Sequence, residues 1–433
     1  MPEDTLLQST GFALTPESSH YIGDDKYLCI CSVYRQGIGC VIVKVIDGIV
    51  VEKGVPVVVT EIYGYGGNPL AVWNGSTVAL INCDGRLVGG LGNWVTLSVS
   101  GLSVAVRNNG TFSNNMSFVF GCNYNITADA GVICYNYNNE IRFLTFVIDG
   151  SVIISEYTAP TASSGYVIDD NVRIVNCAEY CVLCFSKTTS PSIPQFRIAS
   201  GLGSPVFAVS DGQTPFLSGA YKHLGLSGDK TGGFLYHCVG LYVSDSSLRY
   251  KNPCYVAGKV VSGNIVFGSI YEYEPEATVS NYLVGDIKHM SQGEFVSSFI
   301  VGWPDKIFTH KVKVEDSYNI SIISTDNIPV DIYGQPYDHL SVSAKSDGNA
   351  CIFYTDNATK KIFVITTKFF IESPAFWTNL TLHIEGELGF LEKKKTVLVI
   401  PGNAGQPYMP KIPAIPSRTV FESFTQKECK KVG

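Results

Sequence analysis

A strand, a two-residue turn and a second strand recur along this chain at a nearly fixed interval. Val45-Ile46-Asp47-Gly48 followed by Ile49-Val50-Val51 returns as Val147-Ile148-Asp149-Gly150 followed by Ser151-Val152-Ile153-Ile154. Ser98-Val99-Ser100-Gly101-Leu102-Ser103-Val104 stands between them. Ile198-Ala199-Ser200-Gly201 and Val260-Val261-Ser262-Gly263-Asn264-Ile265-Val266 lie beyond. The glycines at 48, 101, 150, 201 and 263 are 53, 49, 51 and 62 residues apart, and a degenerate sixth copy runs from Val314 to Ile320. A tight hairpin needs positive φ in its turn, which Asp-Gly and Ser-Gly supply at little steric cost. Self-similarity at such a period means one supersecondary unit copied many times, each copy too small to bury its apolar faces alone.

Upstream of each hairpin stand further apolar runs: Tyr27 to Tyr34 with Cys40 to Val45, Leu70 to Trp73 with Thr77 to Cys83, Met116 to Cys122 with Val132 to Tyr135, and Val172 to Asn176 with Tyr180 to Phe185. Later copies read Phe234 to Val243 with Ser247 to Val256, Phe295 to Trp303 with Lys306 to Val314, and Cys351 to Thr355 with Lys361 to Phe370 and Leu380 to Ile384. Cys40-Val41-Ile42-Val43 and Val78-Ala79-Leu80-Ile81 are apolar on both alternations, as a strand must be when its sheet is covered on both faces. Four strands per unit and seven units in 433 residues predict an all-β chain: a seven-bladed β-propeller of four-stranded antiparallel blades over residues 21–386. A pair of β-sandwiches needs no such period, and a β-helix repeats over a much shorter one.

Composition agrees. Charged residues are 16% and hydrophobic residues 45%, far from the balance that disorder requires, and 42 glycines accompany an abundance of β-branched and aromatic residues. A net charge of −7 speaks against a partner held by phosphate backbone or anionic lipid, so no nucleic acid is expected. No apolar run reaches the roughly 18 residues of a membrane span, so no membrane insertion is expected, and Met1 to Thr5 lacks the basic start of a secretory signal. Many of the 13 cysteines, among them Cys29, Cys31, Cys40, Cys134, Cys238 and Cys351, sit inside apolar runs as small hydrophobes, which points to reduced thiols and synthesis in a cytoplasm. The Asn-x-Ser/Thr triplets at Asn74, Asn109, Asn115, Asn125, Asn319, Asn357 and Asn379 read as chance in a chain rich in those residues.

The ends differ from the repeat. Residues 1–20 form a mixed polar segment able to donate a strand that closes the ring. Residues 387–433 hold a strand at Thr396 to Ile400, then an arm with Pro401, Pro407, Pro410, Pro413 and Pro416, whose ring-locked φ favours an extended conformation. After Ser417, a natural helix cap, Val420, Phe421 and Phe424 fall at helical spacing, with Glu422 early and Lys427, Lys430 and Lys431 late, matching the helix dipole. The candidate partner-binding residues are therefore Pro401, Pro407, Tyr408, Pro410, Pro413, Pro416, Val420, Phe421 and Phe424.

Catalytic and metal motifs are weak. Cys177-x3-Cys181-x2-Cys184 has the spacing of an iron–sulfur cradle or a nascent zinc site, but it lies in two propeller strands around Ala178-Glu179. Ser210-Asp211-Gly212-Gln213-Thr214 and Ser227-Gly228-Asp229-Lys230-Thr231 approach the Asp boxes of sialidase-like propellers but miss the register and the Trp. Carboxylates such as Asp47, Asp149, Asp169 and Asp170 read as turn formers, and the seven histidines show no metal-ligand pairing. Tyr63-Gly64-Tyr65-Gly66-Gly67 is a glycine-aromatic loop, not a phosphate cradle. No catalytic residue, metal or cofactor is expected.

The blade pattern, an apolar strand pair followed by a hairpin such as Val147-Ile148-Asp149-Gly150 and joined to a Pro-rich arm, resembles the propeller repeats of tailed-bacteriophage virion proteins. That resemblance implies a non-enzymatic structural or adhesion component of the tail, neck or capsid surface. It would bind neighbouring virion proteins through its C-terminal arm, within a symmetric oligomeric assembly, or a host-surface glycan through its propeller. The alternative expectation is a lectin or a glycan-active hydrolase on the same fold.

Overall fold

The structure, a computed structural model, describes residues 4–8, 14–33, 37–59, 70–83, 91–116, 118–137, 140–159, 172–186, 193–244, 247–273, 281–291, 293–302, 306–329, 340–356, 361–368, 400–401 and 407–408. All regular elements among them are strands, and none is a helix of the length and apolarity that crosses a membrane. The chain divides into two units, Met1–Phe369 and Phe370–Gly433.

In the first unit, seven antiparallel sheets follow one another along the chain. Blade 1 has strands Leu14–Gly23, Lys26–Val33, Gly37–Ile46 and Ile49–Lys53, with the short Val57–Val59 added beside the third. Blade 2 has Leu70–Trp73, Thr77–Cys83, Leu91–Ser100 and Ser103–Asn115; blade 3 has Phe118–Asn125, Ala130–Tyr137, Glu140–Asp149 and Val152–Thr158. Blade 4 has Arg173–Cys177, Tyr180–Ser186, Pro194–Ser200 and Ala208–Val209. Blade 5 has Ala220–Gly228, Gly233–Ser244, Ser247–Val261 and Asn264–Phe267, and blade 6 has Asn281–Ser291, Glu294–Gly302, Lys306–Val314 and Ile320–Pro329. Blade 7 has Leu340–Ala344, Asn349–Asp356 and Lys361–Lys368, and its outermost strand is Asp4–Gln8 from the other end of the chain, with Asp4 opposite Val364 and Gln8 opposite Lys361. Leu14–Gly23, much of which falls in the polar N-terminal segment, is the innermost strand of blade 1.

The sheets close into a ring because every blade is apolar on both faces. Odd residues of the second strand of blade 1, Tyr27, Cys29 and Cys31, pack on Cys351, Phe353 and Val364 of blade 7, while its even residues Leu28 and Ile30 pack on Ala71, Val78 and Leu80 of blade 2. Ile133 and Tyr135 of blade 3 face blade 2, whereas Val132 and Cys134 face Cys181 and Leu183 of blade 4. The seams between blades 4 and 5, 5 and 6, and 6 and 7 are filled in the same way. The innermost strands touch their neighbours in cyclic order, the last meeting the first. The chain thus forms a seven-bladed β-propeller, closed by a strand from its N-terminal end.

Hydroxyls reinforce the seams at turn carbonyls and amides. Thr145 Oγ1 donates to Gly131 O at 2.7 Å and accepts from Gly203 N of blade 4 at 2.8 Å; Thr96 Oγ1 donates to Ser151 O of blade 3 at 2.5 Å. Thr366 of blade 7 donates in the same manner to Gly48 O of blade 1. Each of these third-strand threonines meets the turn after the third strand of the next blade.

The turn glycines at 48, 101, 150, 201 and 263 all have positive φ, and Asp47 and Ser262 share it, as a two-residue turn with positive φ at both positions requires. Two copies depart from the tight form. After Gly201 a wider loop leads to Ala208–Val209, with Ser204 N bonded to Gly201 O and Phe207 N to Ser204 O. The sixth turn spans residues 315–319 and is closed by Glu315 N to Asn319 O, with Tyr318 at φ 62°. The expected last strand at residues 380–384 lies outside the described residues; the fourth strand of blade 7 is Asp4–Gln8. In the second unit Ile400–Pro401 pairs antiparallel with Pro407–Tyr408, so this part of the arm folds back on itself as a narrow ribbon.

Candidate binding surfaces

The motif cysteines separate onto opposite faces of blade 4. Cys177 and Cys184 belong to the seam with blade 5, and Cys181 to the seam with blade 3, so one ion cannot be held by all three. Burial pushes the Cys181 thiol up to about 12 and those of Cys177 and Cys184 well above their ordinary value, which keeps them protonated and poor as ligands. Cys177 Sγ donates weakly to Gly233 O at 3.6 Å. Among the described residues no group of three His, Cys, Asp or Glu side chains could hold a metal ion.

Four histidines lie on strands of blades 5 and 6. His223 shares a hydrogen bond with the Tyr236 hydroxyl at 2.7 Å, and burial lowers it to about 3. His237 bonds Tyr273 at 2.8 Å through one nitrogen and Ser297 at 3.1 Å through the other, stacked 4.2 Å from the Tyr255 ring; Tyr255 in turn bonds His310 at 2.9 Å. Burial holds His237 well below its ordinary range and His310 at about 4, so both rings are neutral near pH 7. His237, Tyr255 and His310 are 0%, 0% and 1% exposed, which makes this a polar pin between two blades, out of reach of a substrate. A buried ion pair, Lys311 Nζ to Glu294 Oε1 at 3.2 Å, lies on the opposite face of blade 6.

Among the described residues, recesses open between blades 4 and 5 and between blades 5 and 6. The one between blades 4 and 5, about 400 Å³, is lined by Tyr180, Ser200, Ser210, Ser262 and Gly263. The one between blades 5 and 6, about 390 Å³, is richer in chemistry: Asp229, Lys230, Lys259, His289, Glu315 and Tyr318 line it. Its walls are turns pinned by their own hydrogen bonds. Asp229 Oδ1 accepts from Thr231 N at 2.7 Å, Thr231 Oγ1 at 2.8 Å and Gly233 N at 2.9 Å, the pattern by which an Asp folds a loop over its own backbone. His289 rests edge-on against Phe295, ring centres 5.2 Å apart, and its backbone N–H bonds Ser227 Oγ of blade 5 at 2.9 Å. Burial lowers the His289 imidazole, with Asp229 pulling the other way. The Gly268 backbone packs so closely on Tyr318 that a Cβ there would stand 2.6 Å from the Tyr318 Cβ, which fixes that residue at the rim.

Toward the axis of the ring, charged side chains bond backbone groups of other blades. Arg173, first residue of the innermost strand of blade 4, reaches past blade 5 so that Nη2 lies 3.5 Å from Gly285 O of blade 6. Next to Gly285, Asp286 accepts Ile287 N through Oδ1 at 2.9 Å and Val342 N of blade 7 through Oδ2 at 2.9 Å, and Lys288 Nζ stands 3.6 Å from Oδ2. His20 of blade 1 bonds the backbone of Ala71 and is lowered to about 3 by burial and by Lys288.

Of the residues singled out in the arm, Pro401, Pro407 and Tyr408 sit in the small ribbon, Pro401 opposite Pro407. Pro410, Pro413, Pro416, Val420, Phe421 and Phe424 lie outside the described residues. The inter-blade recess and the axial group are not legible in the sequence, because their members come from turns and polar inner strands of different blades that only the packing of the blades brings together, as with Arg173 and Gly285, 112 residues apart.

Fold and surfaces together define a propeller with solvent-facing recesses at two of its blade seams. No family model matches the chain, and no curated protein matches it in sequence. Among solved structures it is similar to an ulvan lyase, described as a new family of polysaccharide lyase, with a TM-score of 0.53 and 8% identity over 85% of this chain and 98% of that one. The ulvan lyase bound to -[GlcA(1-4)Rha3S]- gives 0.53 and 7% over the same shares. Hydrazine synthase of Kuenenia stuttgartiensis gives 0.51 and 9%, over 85% of this chain and 99% of that one. At these identities the likeness is one of fold.

Proposed function

We propose that this chain is a non-catalytic recognition module of a bacteriophage particle, synthesised in the host cytoplasm and built into the virion. In this reading the propeller is a rigid platform that presents a glycan-binding recess. The arm that includes Pro401, Pro407, Tyr408, Pro410, Pro413, Pro416, Val420, Phe421 and Phe424 joins it to neighbouring virion proteins in a symmetric assembly. The observation that carries the recognition role is the recess between blades 5 and 6, where self-pinned turns hold side chains of both charges, an imidazole and a tyrosine at the rim of a sugar-sized volume. Preorganised polar groups beside an aromatic face are what a carbohydrate needs, since ordering costs are met before the ligand arrives. The virion setting comes from the resemblance of the fifty-residue repeat.

The test is a glycan array probed with the full chain and with Tyr318→Ala and His289→Ala. Binding by the parent protein that falls at least tenfold in both variants is expected; binding equal in all three would remove the recess from the account. For the arm, deletion of residues 401–433 is expected to leave a folded propeller that no longer incorporates into particles. Unfolding on that truncation would overturn the anchoring role.

The second reading is a glycan-active enzyme, favoured by the existence of a polysaccharide lyase on a similar fold. Incubation with acidic and neutral polysaccharides, followed by reducing-end and unsaturated-product assays, separates the two. Release of either product would replace the non-catalytic reading with this one.

A further inference from the structure

The second and third strands of blade 5 hold two thiols face to face. In the register of Gly233–Ser244 against Ser247–Val261, Cys238 stands directly opposite Cys254, and their sulfurs are 3.3 Å apart. Residues so placed in an antiparallel pair have Cα atoms about 4.5–5.5 Å apart, within the range of roughly 4.4–6.8 Å that a disulfide spans. An S–S bond of about 2.05 Å then asks the two sulfurs to close by about 1.2 Å, which small rotations of two short side chains supply without a change of register.

The ladder is interrupted beside this pair. One step beyond it Val239 faces Pro253, which has no N–H to give, and the register then slips so that Leu241 faces Tyr250, leaving Lys251 and Asn252 opposite Gly240 alone. A covalent tie between Cys238 and Cys254 restores part of what the bulge and the proline take from the hairpin. The third strand so held supplies Gly258 and Lys259 to one recess and leads into Ser262 and Gly263 of the other. Both thiols are buried, Cys238 at 0% and Cys254 at 2% exposure, in the apolar cluster of the seam with blade 4. Burial pushes the Cys238 thiol well above its ordinary value, so the closed seam reacts slowly and its local opening sets the rate.

We propose that Cys238 and Cys254 are a disulfide site: a thiol pair in reducing surroundings that becomes a cross-strand bond on oxidation by a small disulfide such as oxidised glutathione. The thiolate of one cysteine attacks the oxidant and expels one glutathione thiolate; the second cysteine, deprotonated, attacks the mixed disulfide and expels the other. One S–S bond forms in the protein and one breaks in the oxidant, which takes up two electrons and, as two thiols, the two protons. The inference depends neither on glycan binding nor on the virion reading.

Trypsin cuts after Lys230, Arg249, Lys251 and Lys259, so the two cysteines fall in different peptides, residues 231–249 and 252–259, which stay joined only through the bond. The folded full chain is incubated with glutathione at graded ratios of oxidised to reduced form, in urea below its unfolding midpoint so that the seam opens locally, until free thiols stop changing. Remaining thiols are blocked with N-ethylmaleimide, and the digest is read by mass spectrometry without reductant. The expected product joins peptides 231–249 and 252–259 and is two hydrogens lighter than their sum. The oxidised chain should melt at least about 2 °C above the reduced one, a difference lost in Cys254→Ser. Absence of the joined peptide at the most oxidising ratio, or a majority of Cys238 joined to another cysteine such as Cys184 of blade 4, overturns the proposal. The peptide map needs no variant, so it decides the bond even if Cys254→Ser fails to fold; equal midpoints of the oxidised and reduced parent overturn the bracing of the hairpin.

Discussion

Buried imidazoles tie this propeller's stability to pH. His20 and His223 are held at about 3 and His310 at about 4, chiefly because burial penalises the charged ring, whereas in the unfolded chain each titrates near its ordinary value of about 6.5. Between those values the unfolded state carries protons that the folded state refuses, so stability is full above about pH 6.5 and falls as the pH is lowered. Each such histidine contributes a slope of up to about 1.4 kcal/mol per pH unit once its unfolded form is fully charged. Urea unfolding at pH 7.5, 6 and 5 should therefore show a steady loss. His223→Gln, which keeps a polar partner for the Tyr236 hydroxyl, should flatten the slope by about one histidine's share. A midpoint constant from pH 7.5 to 5, or a slope unaltered by the substitution, would contradict the neutral buried ring.

At the scale of the element, what could be read in advance depended on what each strand has to satisfy. Turn glycines at 48, 101, 150 and 263 were legible because a hairpin demands positive φ wherever it occurs, whatever packs around it. Central strands such as Cys40 to Val43 were legible because both their faces are buried. The innermost strands of blades 1, 5, 6 and 7 were not: Leu14–Gly23, Ala220–Gly228 and Asn281–Ser291 intersperse polar residues and glycine among the apolar ones, and Leu340–Ala344 is only five residues long with serine at alternate positions. Their pattern answers to the crowded axis. Register irregularities fall at Val119/Gly121, His223/Gly225 and Tyr282/Gly285, and each of these glycines lies against the inner strand of a neighbouring blade. Gly228 shows the tolerance: a Cβ there would stand 2.0 Å from Asn176 O and 2.8 Å from Cys177 Sγ. Gly228→Ala must part blades 4 and 5, at a cost of about 1–3 kcal/mol for overpacking a close seam. Gly263→Asn, at φ +77° with nothing within 4 Å of its Cβ position, should stay within about 0.5 kcal/mol of the parent, because Asn tolerates left-handed backbone. Thermal midpoints of the two variants compare these directly; equal midpoints would mean that the axial glycines serve no packing need.

For the whole molecule the decisive contact is the one that joins its ends. Each blade is covered by two neighbours, so a ring with every seam filled has no exposed sheet face, whereas an open array of seven would leave two. The seam between blades 7 and 1 holds Cys351, Phe353 and Val364 against Tyr27, Cys29 and Val41, with Ser19 Oγ 3.0 Å from Ser341 Oγ and Lys345 Nζ 2.5 Å from Asp25 Oδ1. Asp4–Gln8 then ties the start of the chain to the strand that ends the ring, so opening blade 7 requires breaking a ladder with Lys361, Ile362, Phe363 and Val364. Removal of residues 1–8 turns Lys361–Lys368 into an unpaired edge while leaving six blades and the apolar seam in place. Amide exchange at positions 361–364 should then rise by roughly tenfold or more, with a smaller rise in the second strand of blade 1 and little change in blades 3 and 4, because loss of local closure lowers the opening free energy of the adjoining unit first. Exchange unchanged at positions 361–364 would mean that the strand decorates a ring already closed by its seams. An equal rise in all seven blades would mean that the ring opens only as a single cooperative body.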